Sequence, residues 1–127
     1  GVELVWHAFN DMHGGEIYVK KIPSMNILDI ARAVSSKATH EIIGIRPGEK
    51  IHEQMIGLED ALHTFSYKGY YKVLPAIHDW SKDPMRIGTG KKVHNDFLYT
   101  SENNTEWMSI DFLRKWIKEN HDKIDTV

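Results

Sequence analysis

The chain has 127 residues, the size of a single domain. Its hydrophobic share of 41%, charged share of 27% and net charge of −2 are those of an ordinary globular protein, and they exclude a global basic field for nucleic acid or anionic membrane. It has no cysteine, hence no disulfide or thiolate metal site, and no apolar run near the roughly 20 residues of a membrane span, so a cytoplasmic protein without a signal peptide is expected.

Val2 to Met12 reads as a helix, with Val2, Val5, Phe9 and Met12 on one face and Leu4 and Ala8 beside it. No capping residue precedes it, and the chain opens on Gly1, so either a cleavage scar at Gly1 or an excised piece of a longer fold is expected. His13-Gly14-Gly15 stops this helix, and the alternation of Glu16 to Ile22 predicts a strand that Pro23 ends. Ser24 or Asn26 caps the next helix, whose stripe of Ile27, Ile30, Ala31 and Val34 is expected to be buried. The β-branched run Glu41 to Ile45 predicts a second strand leading into Arg46-Pro47-Gly48-Glu49. Lys50 to Ile56 suits a short helix or an extended arm, and Leu58 to Thr64 is ambiguous. Phe65 to Leu74, with Gly69 as its turn, predicts a hairpin or edge strand. Pro75 to Asn104 reads as loop, long enough to wrap over something. Ser109 caps a last helix reaching about Asn120, with Leu113, Trp116 and Ile117 as its apolar face and Lys115, Lys118 and Lys123 toward its end.

Most motif tests are negative. A dinucleotide loop needs Gly-x-Gly-x-x-Gly after a strand, but Gly88-Thr89-Gly90 has Val93 in place of the third glycine and no strand before it. None of Tyr18, Tyr67, Tyr70, Tyr71 or Tyr99 has a lysine four residues on, the pairing that lowers a catalytic phenol's pKa. His52-Glu53 opens a zincin-like motif whose second histidine is replaced by Ile56, so no metal site is expected. Arg46-Pro47-Gly48-Glu49 is the positive signal. It follows the end of an expected strand, where open α/β sheets place ligands. A guanidinium fork there suits a diphosphate, and a carboxylate suits a ribose diol. A surface turn with an ion pair is the competing explanation.

The stretches Gly14 to Met25 and Ile43 to Ile56 resemble the C-terminal part of the inverting UDP-N-acetylglucosamine 4,6-dehydratases, extended short-chain dehydrogenases of capsule and O-antigen synthesis. Tyr71-Lys72-Val73-Leu74-Pro75, Asp96 to Ser101, Asn103-Asn104 and Trp107-Met108 resemble the C-terminal extension of the capsule-type members. The resemblance implies that Arg46 and Glu49 hold the diphosphate and uridine ribose of a UDP-sugar. It places Lys21 and Ser24 near the pocket mouth by topology, and gives His52 and Glu53 family positions without a role. It also implies that NADP, the Tyr-x-x-x-Lys pair and the acid/base residues belong to a Rossmann domain outside these residues, so this chain holds no catalytic or cofactor residues.

The expected fold is α/β. It is a small incomplete substrate-side domain over residues 1–74, plus an irregular extension over 75–127 that ends in a helix. Trp107, Trp116 and Leu113 are expected to pack, and Phe65 to Leu74 to form a sheet edge or subunit contact. The expected partners are a UDP-sugar, the Rossmann domain and further copies of the chain. The alternative is a free-standing, non-catalytic interaction module derived from that family.

Overall fold

In a computed structural model, which describes residues 1–120, the two strands at the heart of the fold come from the Gly69 hairpin. β3 (Thr64–Ser66) and β4 (Tyr70–Val73) pair antiparallel across a turn in which Gly69 takes φ 85°, a left-handed value that favours glycine. β1 (Ile17–Lys20) adds to the free side of β4, with Val19 opposite Tyr71. β5 (Lys91–Lys92) adds to the free side of β3, giving the order β1-β4-β3-β5. Phe65 to Leu74 is therefore the interior of the sheet and not its edge, because both flanks are occupied.

β2 (Gln54–Ile56) pairs with β6 (Tyr99–Thr100) in a second, two-stranded sheet whose register slips between Gln54 and Ile56. Val19, Ile56 and Tyr99 form the core where the two sheets meet, with Tyr71 and Phe97 packed against them. β5 and β6 come from residues 75–127 and their partners from 1–74, so the two segments share both sheets. The fold is a mixed α/β arrangement of helices on small antiparallel sheets.

The stretch expected to be pure loop carries a 3₁₀ turn (Trp80–Lys82), a one-turn helix α4 (Pro84–Ile87), β5 and β6. Asp83 caps α4 by accepting from the Met85 N–H, and Pro84 stands at its first position, the local grammar of a helix start. The ambiguous Leu58 to Thr64 stretch divides into α3 (Leu58–Ala61) and β3.

The helices are marginal to the core. α1 (Val2–Asp11) turns Leu4, Ala8 and Asp11 toward the sheet, while Val2, Val5, Phe9 and Met12 are exposed. α2 (Ile27–Val34) is capped by Asn26, whose side chain accepts from the Leu28 N–H, and packs against α5 (Ile110–Glu119). The buried stripe expected on α2 is only half covered: Ile30 and Ala31 are partly buried, but Ile27 and Val34 are exposed, because α5 covers only the middle of that face. Ser109 caps α5 by accepting from the Phe112 N–H. Of its apolar face only Leu113 is buried; Trp116 and the nearby Trp107 stay largely exposed, contrary to the expectation that both pack. Lys123 lies outside the described residues.

The expected strand at Glu41 to Ile45 does not form. Gly44 adopts φ 82°, which breaks an extended path, and no strand among the described residues lies beside the run to take its hydrogen bonds. Its Ile42 and Ile43 are 89% and 72% exposed, far from the buried state that β-branched runs serve. Residues 34–55 are all exposed and form an arm from α2 to β2. No helix among the described residues is long and apolar enough to cross a membrane.

Candidate functional site

Arg46-Pro47-Gly48-Glu49 forms a tight turn on this arm. Proline in second place fixes one backbone angle, and Gly48 takes φ 88° in third, the requirement of a type II turn. The Glu49 N–H closes the turn on the Arg46 carbonyl at 3.0 Å. The Glu49 side chain folds back to accept from the Arg46 N–H at 2.8 Å, and its other oxygen stands 3.9 Å from Arg46 Nε. Arg46 and Glu49 are thus brought together, side by side.

Their ion pair is long and their side chains are 72% and 51% exposed, so it adds little to stability. What it leaves is chemical. The terminal nitrogens of Arg46 retain donors for a planar two-oxygen acceptor, and Glu49 retains acceptor capacity for hydroxyls. The turn lines a wide cleft of about 900 Å³ whose walls are Ile27, the Glu41–Ile45 run, Lys50, Ile51 and Glu53. Lys50 adds a second cation beside the turn. Sequence reasoning did not single it out, although its place next to Glu49 was the available signal.

Lys21 and Ser24 are placed elsewhere. The Lys21 ammonium donates to Ser66 Oγ at 2.8 Å and to the Tyr67 carbonyl at 2.7 Å, and lies over the Tyr71 ring. Ser24 is buried, donates to the Ser101 carbonyl at 3.1 Å, and forms a one-residue β-bridge with Trp107. Neither belongs to the cleft wall. Glu53 does, and its neighbour His52 stands beside Ser101.

The glycines expected not to serve a dinucleotide have a packing explanation. Gly88-Thr89-Gly90 closes α4 and leads into β5 instead of joining a strand to a helix. A Cβ on Gly90 would run into the Tyr67 ring, whose hydroxyl donates to the Ile87 carbonyl at 2.6 Å. This turn is filled by a side chain and offers no cradle for a pyrophosphate.

Two further polar clusters hold the frame. Asp11 accepts from Tyr18 Oη at 2.6 Å and from Lys72 Nζ at 2.8 Å, joining α1 to the sheet; the Lys72 side chain is 4% exposed. Burial pushes the Asp11 carboxyl up, but the hydrogen bonds from Lys72 and Tyr18 outweigh it and hold its pKa below the usual value. Glu16 accepts from the Gly14 and His13 N–H groups and from Arg86 at 2.5 Å. Burial again raises its pKa, and the backbone donors with the Arg86 charge lower it further than burial raises it.

The comparisons with known proteins fit this frame. Residues 1–75 match the family model described as polysaccharide biosynthesis protein. The inverting UDP-N-acetylglucosamine 4,6-dehydratase of Campylobacter jejuni serotype O:2 is 45% identical over 114 residues, covering 86% of this chain and 34% of that enzyme. A UDP-glucose 4-epimerase of Rickettsia akari is 31% identical over 118 residues, covering 90% of this chain and 34% of the epimerase. The X-ray structure of Pen from Bacillus thuringiensis superposes with a TM-score of 0.75 at 20% identity, over 94% of this chain and 36% of that one, a likeness of fold. The chain therefore spans about a third of the length of these relatives, and with more than half of its residues matched it belongs to the polysaccharide biosynthesis protein family.

Proposed function

We propose that this chain is the UDP-sugar-holding segment of a nucleotide-sugar 4,6-dehydratase/5-epimerase that acts on UDP-N-acetylglucosamine in capsule-type polysaccharide biosynthesis. Arg46 grips the diphosphate with its free guanidinium nitrogens, and Glu49 accepts from the ribose diol. Residues 1–74 carry this grip, and 75–127 brace it as an extension. The redox chemistry belongs to an NADP-binding Rossmann domain packed on this chain, in a cytoplasmic oligomer. The observation that carries the proposal is the Arg46–Glu49 turn, paired and exposed on the wall of a cleft, in a chain 45% identical over 114 residues to an inverting dehydratase.

The test is a chimera. The N-terminal remainder of the Campylobacter jejuni dehydratase is fused to this chain in place of that enzyme's matching segment, and loss of water from UDP-N-acetylglucosamine is followed by mass spectrometry. The expected result is turnover in the chimera and loss of at least tenfold in kcat/KM with Arg46→Ala. A folded chimera that binds NADP yet removes no water sinks the proposal. A second reading, a non-catalytic interaction module, draws support from the bare apolar face of α1; it requires self-association indifferent to UDP.

A further inference from the structure

His52 and Glu53 match the family without a role, and the structure gives both the same partner. The Ser101 N–H donates to the Glu53 carbonyl at 2.8 Å, and Ser101 Oγ accepts from the Glu53 N–H at 3.1 Å and stands 3.3 Å from His52 Nδ1. The Ser101 carbonyl accepts from Ser24 Oγ at 3.1 Å, and Asn104 donates to the same Ser24 hydroxyl and to the Ile22 carbonyl. One residue thus uses its N–H, its hydroxyl and its carbonyl to join three segments: the arm, the end of β6 and the link from β1 to α2.

That convergence matters because the arm has little else to locate it. Residues 35–53 are exposed and form neither helix nor strand. Within the arm, the hydrogen bonds at Ala38, Arg46 and Glu49 are local. Apart from the Ser35 N–H, which closes α2 on the Ala31 carbonyl, those that tie it to the body ahead of β2, among the described residues, converge on Ser101. The arm is held at two ends, α2 and Ser101, and the turn stands about four residues from the Ser101 end against about twelve from α2, so it takes its direction chiefly from Ser101.

We propose that Ser101 is the positioning residue of the Arg46–Glu49 turn: it fixes the end of the arm and so the direction from which the arginine meets a diphosphate. The consequence for ligand binding rests on the UDP-sugar reading; the placement of the arm does not. The chain has no cysteine, so a spin-label pair at Lys20→Cys and Lys50→Cys reports the arm's position without background. Distance distributions are compared for the labelled parent, Ser101→Ala, Ser101→Thr and His52→Ala, each with circular dichroism as a check of the fold, and UDP is titrated into the same variants unlabelled and with Lys50 retained, because Lys50 lines the cleft. Ser101→Ala should broaden the distribution about twofold and weaken UDP about fivefold, the equivalent of one hydrogen bond lost. Ser101→Thr, which keeps the hydroxyl, should restore both, and His52→Ala, at an exposed position, should broaden it less. Broadening in Ser101→Ala with no UDP bound by any variant would leave the positioning role standing and remove the UDP reading. An unchanged distribution in both Ser101→Ala and His52→Ala would overturn the role.

Discussion

Two arginines separate stability from function at the residue scale. Arg86 lies 12% exposed against the buried Glu16 carboxylate and over the Trp80 ring, whereas Arg46 is largely exposed beside Glu49. Arg86→Ala leaves a buried charge unpaired and should cost about 3 kcal/mol in a denaturant titration. Arg46→Ala should cost less than about 0.5 kcal/mol in the same experiment, because its partner is distant and both groups are hydrated. Acid tests the buried carboxylates together. Asp11 and Glu16 have folded pKa values below their ordinary 3.8 and 4.5, so their contribution is present above those values and fades as pH falls through the folded ones. The melting temperature should hold above about pH 5 and fall below pH 4, and Glu16→Gln should flatten that slope. A melting curve that rises on acidification would contradict this sign. The Arg46–Glu49 pair was legible in the sequence because Pro-Gly between two charges dictates a turn. The Asp11–Lys72 and Glu16–Arg86 pairs were not, since their partners stand 61 and 70 residues apart and nothing local marks them.

Local signals carried the elements wherever an element is closed by its own neighbours. Asn26 and Ser109 cap α2 and α5 as their side chains require, and Gly69 turns the hairpin. Where an element depends on a distant partner, local signals failed in both directions. Glu41 to Ile45 has strand composition but no strand beside it among the described residues, and β5, two lysines without strand composition, pairs with β3 at Phe65 and Ser66. Glycines test the two kinds of constraint. Gly69→Ala meets no neighbouring atom but must adopt a left-handed angle, so it should destabilise the chain by about 1 kcal/mol. Gly90→Ala should cost about 2 kcal/mol, because its methyl displaces the Tyr67 ring from the contact with Ile87. Equal midpoints for Gly90→Ala and the parent in thermal melts would show that the ring moves freely.

At the scale of the whole molecule, the chain buries few large side chains and leaves many bare. Val2, Trp6 and Phe9 of α1 are each more than 60% exposed, and Ile17 beside them is 59% exposed. A contiguous apolar face of this kind favours association, as the proposed oligomer requires. Sedimentation should show the mean mass rising with concentration, and Phe9→Glu should return it to that of one chain; a single-chain mass at millimolar concentration would count against the face as a contact. The cleft is open on the same molecule, so the grip it offers alone is weak. Amide chemical shifts report binding at millimolar ligand and so suit it. Titrating the isotope-labelled chain with UDP should move the amides of Arg46, Gly48 and Glu49 first, with the shifts abolished in Arg46→Ala. Shifts that arise elsewhere, or that persist unchanged in Arg46→Ala, would contradict the assignment of this turn as the nucleotide-sugar grip.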